Sequence, residues 1–125
     1  MTGDMEQYTR LETQAGKWYM ASRSTKCLIR SRQDILDLLA WGYQNETNLF
    51  LLKDTDLAPQ FYDLRTGLAG EILQIVSNYR VRLAIVGTFA MVKSKRFGEL
   101  MAESNKGLLV RCTQNQDEAI SWLVQ

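Results

Sequence analysis

Three short apolar runs, separated by stretches of helical period, constrain this fold more than any other feature of the sequence. Residues 48–53 (NLFLLK), 81–87 (VRLAIVG) and 108–112 (LLVRC) are apolar almost end to end, the pattern of strands covered on both faces. Ahead of the first, Ser31 precedes RQDILDLLAWG, with Asp34 three residues on as in a capping box. Ile35, Leu38, Leu39 and Gly42 then fall at i, i+3, i+4 and i+7, one face of a helix ending near Asn45. After the first run a polar stretch, DTDLAPQFYDLR, leads to a second helix expected from Thr66 to Asn78. Its Leu68, Ala69, Ile72, Leu73, Ile75 and Val76 again recur at helical spacing. Ser94 caps a third helix carrying Phe97, Leu100 and Met101, which stops around Asn105 with Gly107 as the breaker. Asn115 with Glu118 opens a last helix bearing Ala119, Ile120 and Leu123.

Upstream of these elements, residues 8–13 (YTRLET) and 17–22 (KWYMAS) alternate in character around Gln14-Ala15-Gly16 and read as a β-hairpin. Residues 23–30 are basic and ambiguous, and residues 1–7 are polar and expected to be flexible. The element order is therefore ββαβαβαβα. Strands alternating with helices of about 10–15 residues predict an α/β fold with its later strands parallel, and the hairpin makes the sheet mixed. The chain has 125 residues, one proline (Pro59), and no linker, repeat or low-complexity tract, which suits a small single domain spanning 1–125.

Composition excludes more chemistry than it suggests. The chain has no histidine, so it can hold no Ser-His-Asp or Cys-His apparatus and no imidazole base. Cys27 and Cys112 are far apart and make no CxxC or metal-ligand spacing. No metal and no cofactor is implied. With 15 Lys or Arg against 14 Asp or Glu, there is no global field to draw the chain to nucleic acid or to an anionic membrane. No apolar run approaches the ~20 residues a membrane helix needs. The N-terminus MTGDMEQYTR lacks a basic region followed by an apolar one, so a cytoplasmic protein with reduced thiols is expected. Trp18, Trp41, Trp122, Tyr19 and Tyr43 lie in different elements and suit core or interface packing rather than a base-stacking platform. Trp41 and Tyr43 flank the apolar stripe of the first helix, so one of them should be exposed, which makes a homodimer plausible.

Residues 61–87 (FYDLRTGLAGEILQIVSNYRVRLAIVG), with ESNKG at 103–107 and DEAISWL at 117–123, resemble an uncharacterised bacterial family, domain of unknown function 4180. The likeness covers residues 31–125 and is weak over the hairpin. Thr88 stands where that family typically has Asp after the strand glycine, and the family name carries no activity. At the level of element order the chain also resembles the sulfate-transporter and anti-sigma-antagonist (STAS) domains. Those carry a D-S-S-G-L motif at a helix start, whose second serine accepts a phosphoryl group that controls partner binding. Here Asp63-Leu64-Arg65-Thr66-Gly67-Leu68 stands in that place, with one extra residue, so the resemblance implies Thr66 as phosphoacceptor.

Three groups of residues can carry function. Thr66 before Gly67 is first a helix cap, its hydroxyl accepting from a backbone N–H two or three residues on. A phosphate at the same place would meet a helix N-terminus and Arg65 and change the charge a partner sees. Asp63, Arg65 and Glu71 around this turn would give an acid, a base and an anion clamp if the protein were an enzyme. As structure they are a loop residue, its neighbour and an early helical acid. Third, no acid lies between Glu71 and Glu99, and Gly87-Thr88 leaves a strand towards Lys93, Ser94, Lys95 and Arg96. Strand ends followed by helix N-termini suit anions, although neither GxGxxG nor GxxxxGK[ST] is present.

The reading that follows is a non-enzymatic regulatory or protein-binding module, with an unidentified protein partner, acting through Asp63, Arg65, Thr66, Gly67, Gly70 and Glu71. The alternatives are a small-molecule anion or nucleotide binder using loop 87–96, and a small enzyme using Asp63, Arg65 and Glu71. An exposed Thr66 turn would favour the first, and a deep pocket uniting Asp63, Glu71 and Arg96 the others.

Overall fold

A computed structural model describes residues 7–13 and 15–125. Strand β1 (Tyr8–Glu12) pairs antiparallel with β2 (Trp18–Ser22), in a register running from Tyr8 opposite Ser22 to Glu12 opposite Trp18. Strands β3 (Leu49–Lys53), β4 (Arg82–Val86) and β5 (Val110–Thr113) then add in parallel, giving one mixed sheet in the order β1-β2-β3-β4-β5. The helices are α1 (Arg32–Gln44), α2 (Leu68–Tyr79), α3 (Lys95–Asn105) and α4 (Gln116–Leu123). The small mixed α/β fold in the order ββαβαβαβα is thus the one observed. No helix among the described residues is long and apolar enough to cross a membrane.

The sheet order decides which face each helix covers. Three crossovers from β2 to β5 all step the same way, and right-handed crossovers stepping one way place their helices on one face. Accordingly α1, α2 and Phe97 of α3 bury Met20, Phe50, Leu52, Leu83 and Ile85, alternate residues of the central strands. Helix α4, which follows β5, lies on the other face. It packs Ala119, Trp122 and Leu123 against Tyr19, Leu49, Leu51 and Ala84.

The anticipated helix faces are the buried ones. In α1 they are Ile35, Leu38, Leu39 and Gly42, and a Cβ on Gly42 would run into the Phe50 ring, so this crossing needs glycine. Ser31 accepts from the Asp34 N–H, while the Asp34 carboxylate reaches back past the cap to the Arg30 N–H at 2.8 Å. Ser94 and Asn115 cap α3 and α4 by accepting from the Phe97 and Glu118 amides. Tyr43 is the exposed member of its pair at 85 %, and Trp41 packs towards Tyr8 with ring centroids 5.9 Å apart.

Several expectations need correction. Helix α2 begins at Leu68, because Gly67 takes a left-handed conformation (φ 80°) at its N-cap and Thr66 belongs to the preceding 3-10 turn. The polar stretch after β3, for which no element was predicted, has structure of its own. It folds as three 3-10 turns, 54–56, 59–62 and 64–66, that bury Leu57, Phe61 and Tyr62 together with Asp54 and Asp56. Segment 23–30 carries Ile29 into the core, where it bridges Leu57. Strand β5 starts two residues late, leaving Leu108 76 % exposed. The flexible start expected at 1–7 lies outside the described residues except for Gln7, whose carbonyl accepts from the Arg23 N–H.

Candidate functional site

Open α/β sheets bind ligands outside the carboxyl ends of their parallel strands, and here the ends of β2, β3 and β4 carry the polar network of the molecule. Asp56, 1 % exposed, is its hub. One carboxylate oxygen accepts from the Lys53 N–H (2.7 Å) and from the Ser22 hydroxyl, and the other lies 3.5 Å from the Lys53 ammonium. That ammonium also donates to Ser22 Oγ at 2.8 Å. The Asp56 main-chain carbonyl accepts from the Leu28 and Ile29 amides, so one residue ties β2, β3 and the 23–30 segment together.

Asp54 anchors the next loop. Its carboxylate accepts from the Phe89 N–H at 2.9 Å, and its carbonyl accepts from the Tyr62 hydroxyl at 2.6 Å. Burial, followed by the negative charge of Asp54, pushes the Tyr62 hydroxyl well above its usual pKa, so it acts as a neutral donor. Gly87 lies against the Asp54 carboxylate so closely that a Cβ there would overlap it. Phe89 adopts φ 58°, a conformation uncommon for a bulky residue. The loop leaving β4 is therefore held in a strained turn by the carboxylate beneath it.

Beside this network a groove runs along the sheet face that carries α4. The eight-residue α4 sits on β3, β4 and β5. The groove, of about 570 Å³, is floored by Leu11, Tyr19, Ala21 and Leu51, with Ser22, Lys53, Asp54, Gly87 and Thr88 at its strand-end mouth. A second cavity, of about 620 Å³, lies between α1 and segment 26–30 and is lined by Arg30, Asp34 and Trp41 among others. Its Cys27 and Leu28 both donate to the Asp56 carbonyl, so it borders the same network from the α1 side.

The anticipated residues divide between the groove and open surface. Asp63 and Arg65 pair bidentately at 3.0 and 2.9 Å, and the Arg65 side-chain hydrogen bonds hold the Asp63 carboxyl below its usual range. Both are solvated, and exposed pairs of this kind contribute little. The Thr66 hydroxyl accepts from the Leu68 N–H and donates towards the Gln60 and Asp63 carbonyls. Gly67, Gly70 and Glu71 are exposed, and a Cβ on Gly67 or Gly70 would meet nothing within 4 Å. No described cavity unites Asp63, Glu71 and Arg96. Of the second set, Gly87 and Thr88 line the groove, whereas Lys93, Ser94, Lys95 and Arg96 are exposed and lie outside it. Adjacency in sequence does not carry over because Phe89 turns the chain and Ser94 is committed to capping α3.

Sequence reasoning missed Ser22, Lys53, Asp54 and Asp56. The available signal was Lys-Asp-Thr-Asp directly after the most apolar strand, where a parallel sheet presents its ligands. The two thiols offer no reactive alternative. Burial raises both, Cys112 to about 11, which leaves them protonated near neutrality. The sequence signature of a family described as domain of unknown function (DUF4180) matches residues 14–123. No curated protein and no solved structure matches the chain.

Proposed function

We propose, from the premise that the chain belongs to the DUF4180 family, that it is a non-enzymatic binding module whose ligand seats in the groove beside α4. The observation that carries this reading is the groove itself, lined by apolar residues of β1, β2 and β3. The groove opens at the carboxyl ends of parallel strands, and its volume of about 570 Å³ suits a small molecule. Its lining defines the ligand. Leu11, Tyr19, Ala21 and Leu51 suit an apolar or aromatic body. At the mouth, an ammonium has three N–H donors; Ser22 and Asp56 engage Lys53 and leave a donor for an anionic group, beside the Thr88 hydroxyl. This is the small-anion reading with its site moved off 93–96 and onto the floor of the sheet.

Thermal-shift screening against aryl and alkyl carboxylates and phosphates tests it. A compound that raises the midpoint should lose at least about tenfold in affinity on Lys53→Met and on Thr9→Trp, which fills the groove from β1. A ligand indifferent to both substitutions would place binding elsewhere, and no shift with any anion would count against the groove.

A second reading, a regulatory protein-binding surface around Thr66, is favoured by the exposure of Arg65, Thr66, Gly67, Gly70 and Glu71. Its switch would work by release. A phosphoryl ester has no proton to donate, so the contacts of Thr66 with the Gln60 and Asp63 carbonyls would be lost and the 3-10 turn would open. Thr66→Asp should then capture a different protein set from Thr66→Ala in affinity purification. Identical sets would remove the switch.

A further inference from the structure

Among the described residues the two edges of the sheet are treated differently, and the β1 edge is complementary to itself. At β5 the Asn105 side chain occupies the edge as a neighbouring strand would, accepting from the Cys112 N–H at 2.7 Å and donating to its carbonyl at 3.0 Å. Sheet edges left open invite pairing, and a plug of this kind prevents it. At β1 the hydrogen bonds from Arg23 N–H to the Gln7 carbonyl and from Thr13 N–H to the Lys17 carbonyl fix the phase of the ladder. Residues alternate along an antiparallel strand, so Thr9 and Leu11 turn their backbone groups towards β2, and Arg10 and Glu12 turn theirs outward.

We propose that a second copy of this chain docks on β1, antiparallel about a two-fold axis through Leu11, making one continuous ten-stranded sheet. In that register Arg10 of each copy faces Glu12 of the other, so the outward backbone groups of both residues find partners. Two opposite charges also meet on each side of the axis, and cross-strand pairs of this kind are favourable. Leu11, 40 % exposed on the isolated chain, meets its own copy at the axis. A shift of the register by two residues places Arg10 against Arg10 or Glu12 against Glu12, which repels, so the charges select a single pairing. Leu11 also floors the groove beside α4. The partner's Leu11 would therefore join the outer wall of that groove. The dimer itself does not depend on the groove holding a ligand.

Sedimentation velocity on the full chain tests this with charge reversal. Arg10→Glu or Glu12→Arg alone sets like charges across the axis and should raise the dimer dissociation constant at least about tenfold. The double reversal should restore the wild-type constant, and an equimolar mixture of the two single variants should re-form a dimer. Circular dichroism and melting of each single variant check that it remains folded. A wild-type chain monomeric throughout the micromolar range would overturn the proposal. So would a dimer that both single reversals leave unchanged, or single variants that stay monomeric when mixed.

Discussion

Asp56→Ala should destabilise the fold by about 3 kcal/mol, lowering the melting midpoint by roughly 10 °C, a large effect for a single polar side chain. The reason is the number of partners stranded by one deletion. The Lys53 amide, the Ser22 hydroxyl and the Lys53 ammonium all point at a carboxylate that is 1 % exposed. Removing it leaves two part-buried donors without their acceptor and a cation without its counter-charge. Asp56→Asn keeps one acceptor oxygen but drops the charge, and its NH₂ must face at least one of the same donors, so an intermediate loss is expected. Asp63→Ala is the control. It removes an ion pair that solvent already screens and the side-chain cap of the 64–66 turn, and should lower the midpoint by clearly less than Asp56→Ala. Urea denaturation with a common slope for all three variants makes the comparison. A loss below about 1 kcal/mol for Asp56→Ala would mean that the strand-end network is not held together through this residue.

The contrast between Asp56 and Asp63 also marks where the sequence was legible. Ile35, Leu38, Leu39 and Gly42 on α1 could be read because a helix of four turns repeats its signal, and Ser31, Ser94 and Asn115 because a cap is a local bargain between one side chain and a nearby amide. The 54–66 segment offered no such repetition. Three successive 3-10 turns bury Leu57, Phe61 and Tyr62 without a period of 2 or 3.6, so their apolar residues looked like interruptions of a polar loop. The burial of Asp56 depends on partners 3 and 34 residues away, the second of them beyond any local pattern. The groove was beyond local reading for another reason. It exists because α4 covers β3 to β5 and not β1, and that choice rests on Trp122 and Leu123 finding Leu49 and Ala84 across the sheet.

The second large effect is expected at Gly87, and it is a test of coupling as much as of stability. A methyl group on Gly87 would occupy the space of the Asp54 carboxylate, which in turn holds the Phe89 N–H and with it the strained turn that closes the groove mouth. Overpacking at such a contact costs about 1–3 kcal/mol, and the displaced carboxylate also loses its amide partner, so Gly87→Ala should fall at the upper end, near 3 kcal/mol. Propensity argues the opposite sign for an isolated substitution, since alanine restricts the unfolded chain and stabilises by about 0.4–1 kcal/mol where there is room. Asp54→Ser decides between them. Shortening the side chain vacates the space that the new methyl needs, so in the Asp54→Ser background Gly87→Ala should lose most of its penalty, giving a coupling energy of about 1–2 kcal/mol. Strictly additive losses would show that the two residues do not compete for one volume. If coupling is found, the groove follows the same logic. The loop bearing Thr88 is then fixed by a glycine that lets a buried carboxylate reach an amide two residues further on, and any ligand that reads Thr88 should weaken in Gly87→Ala even where the protein remains folded.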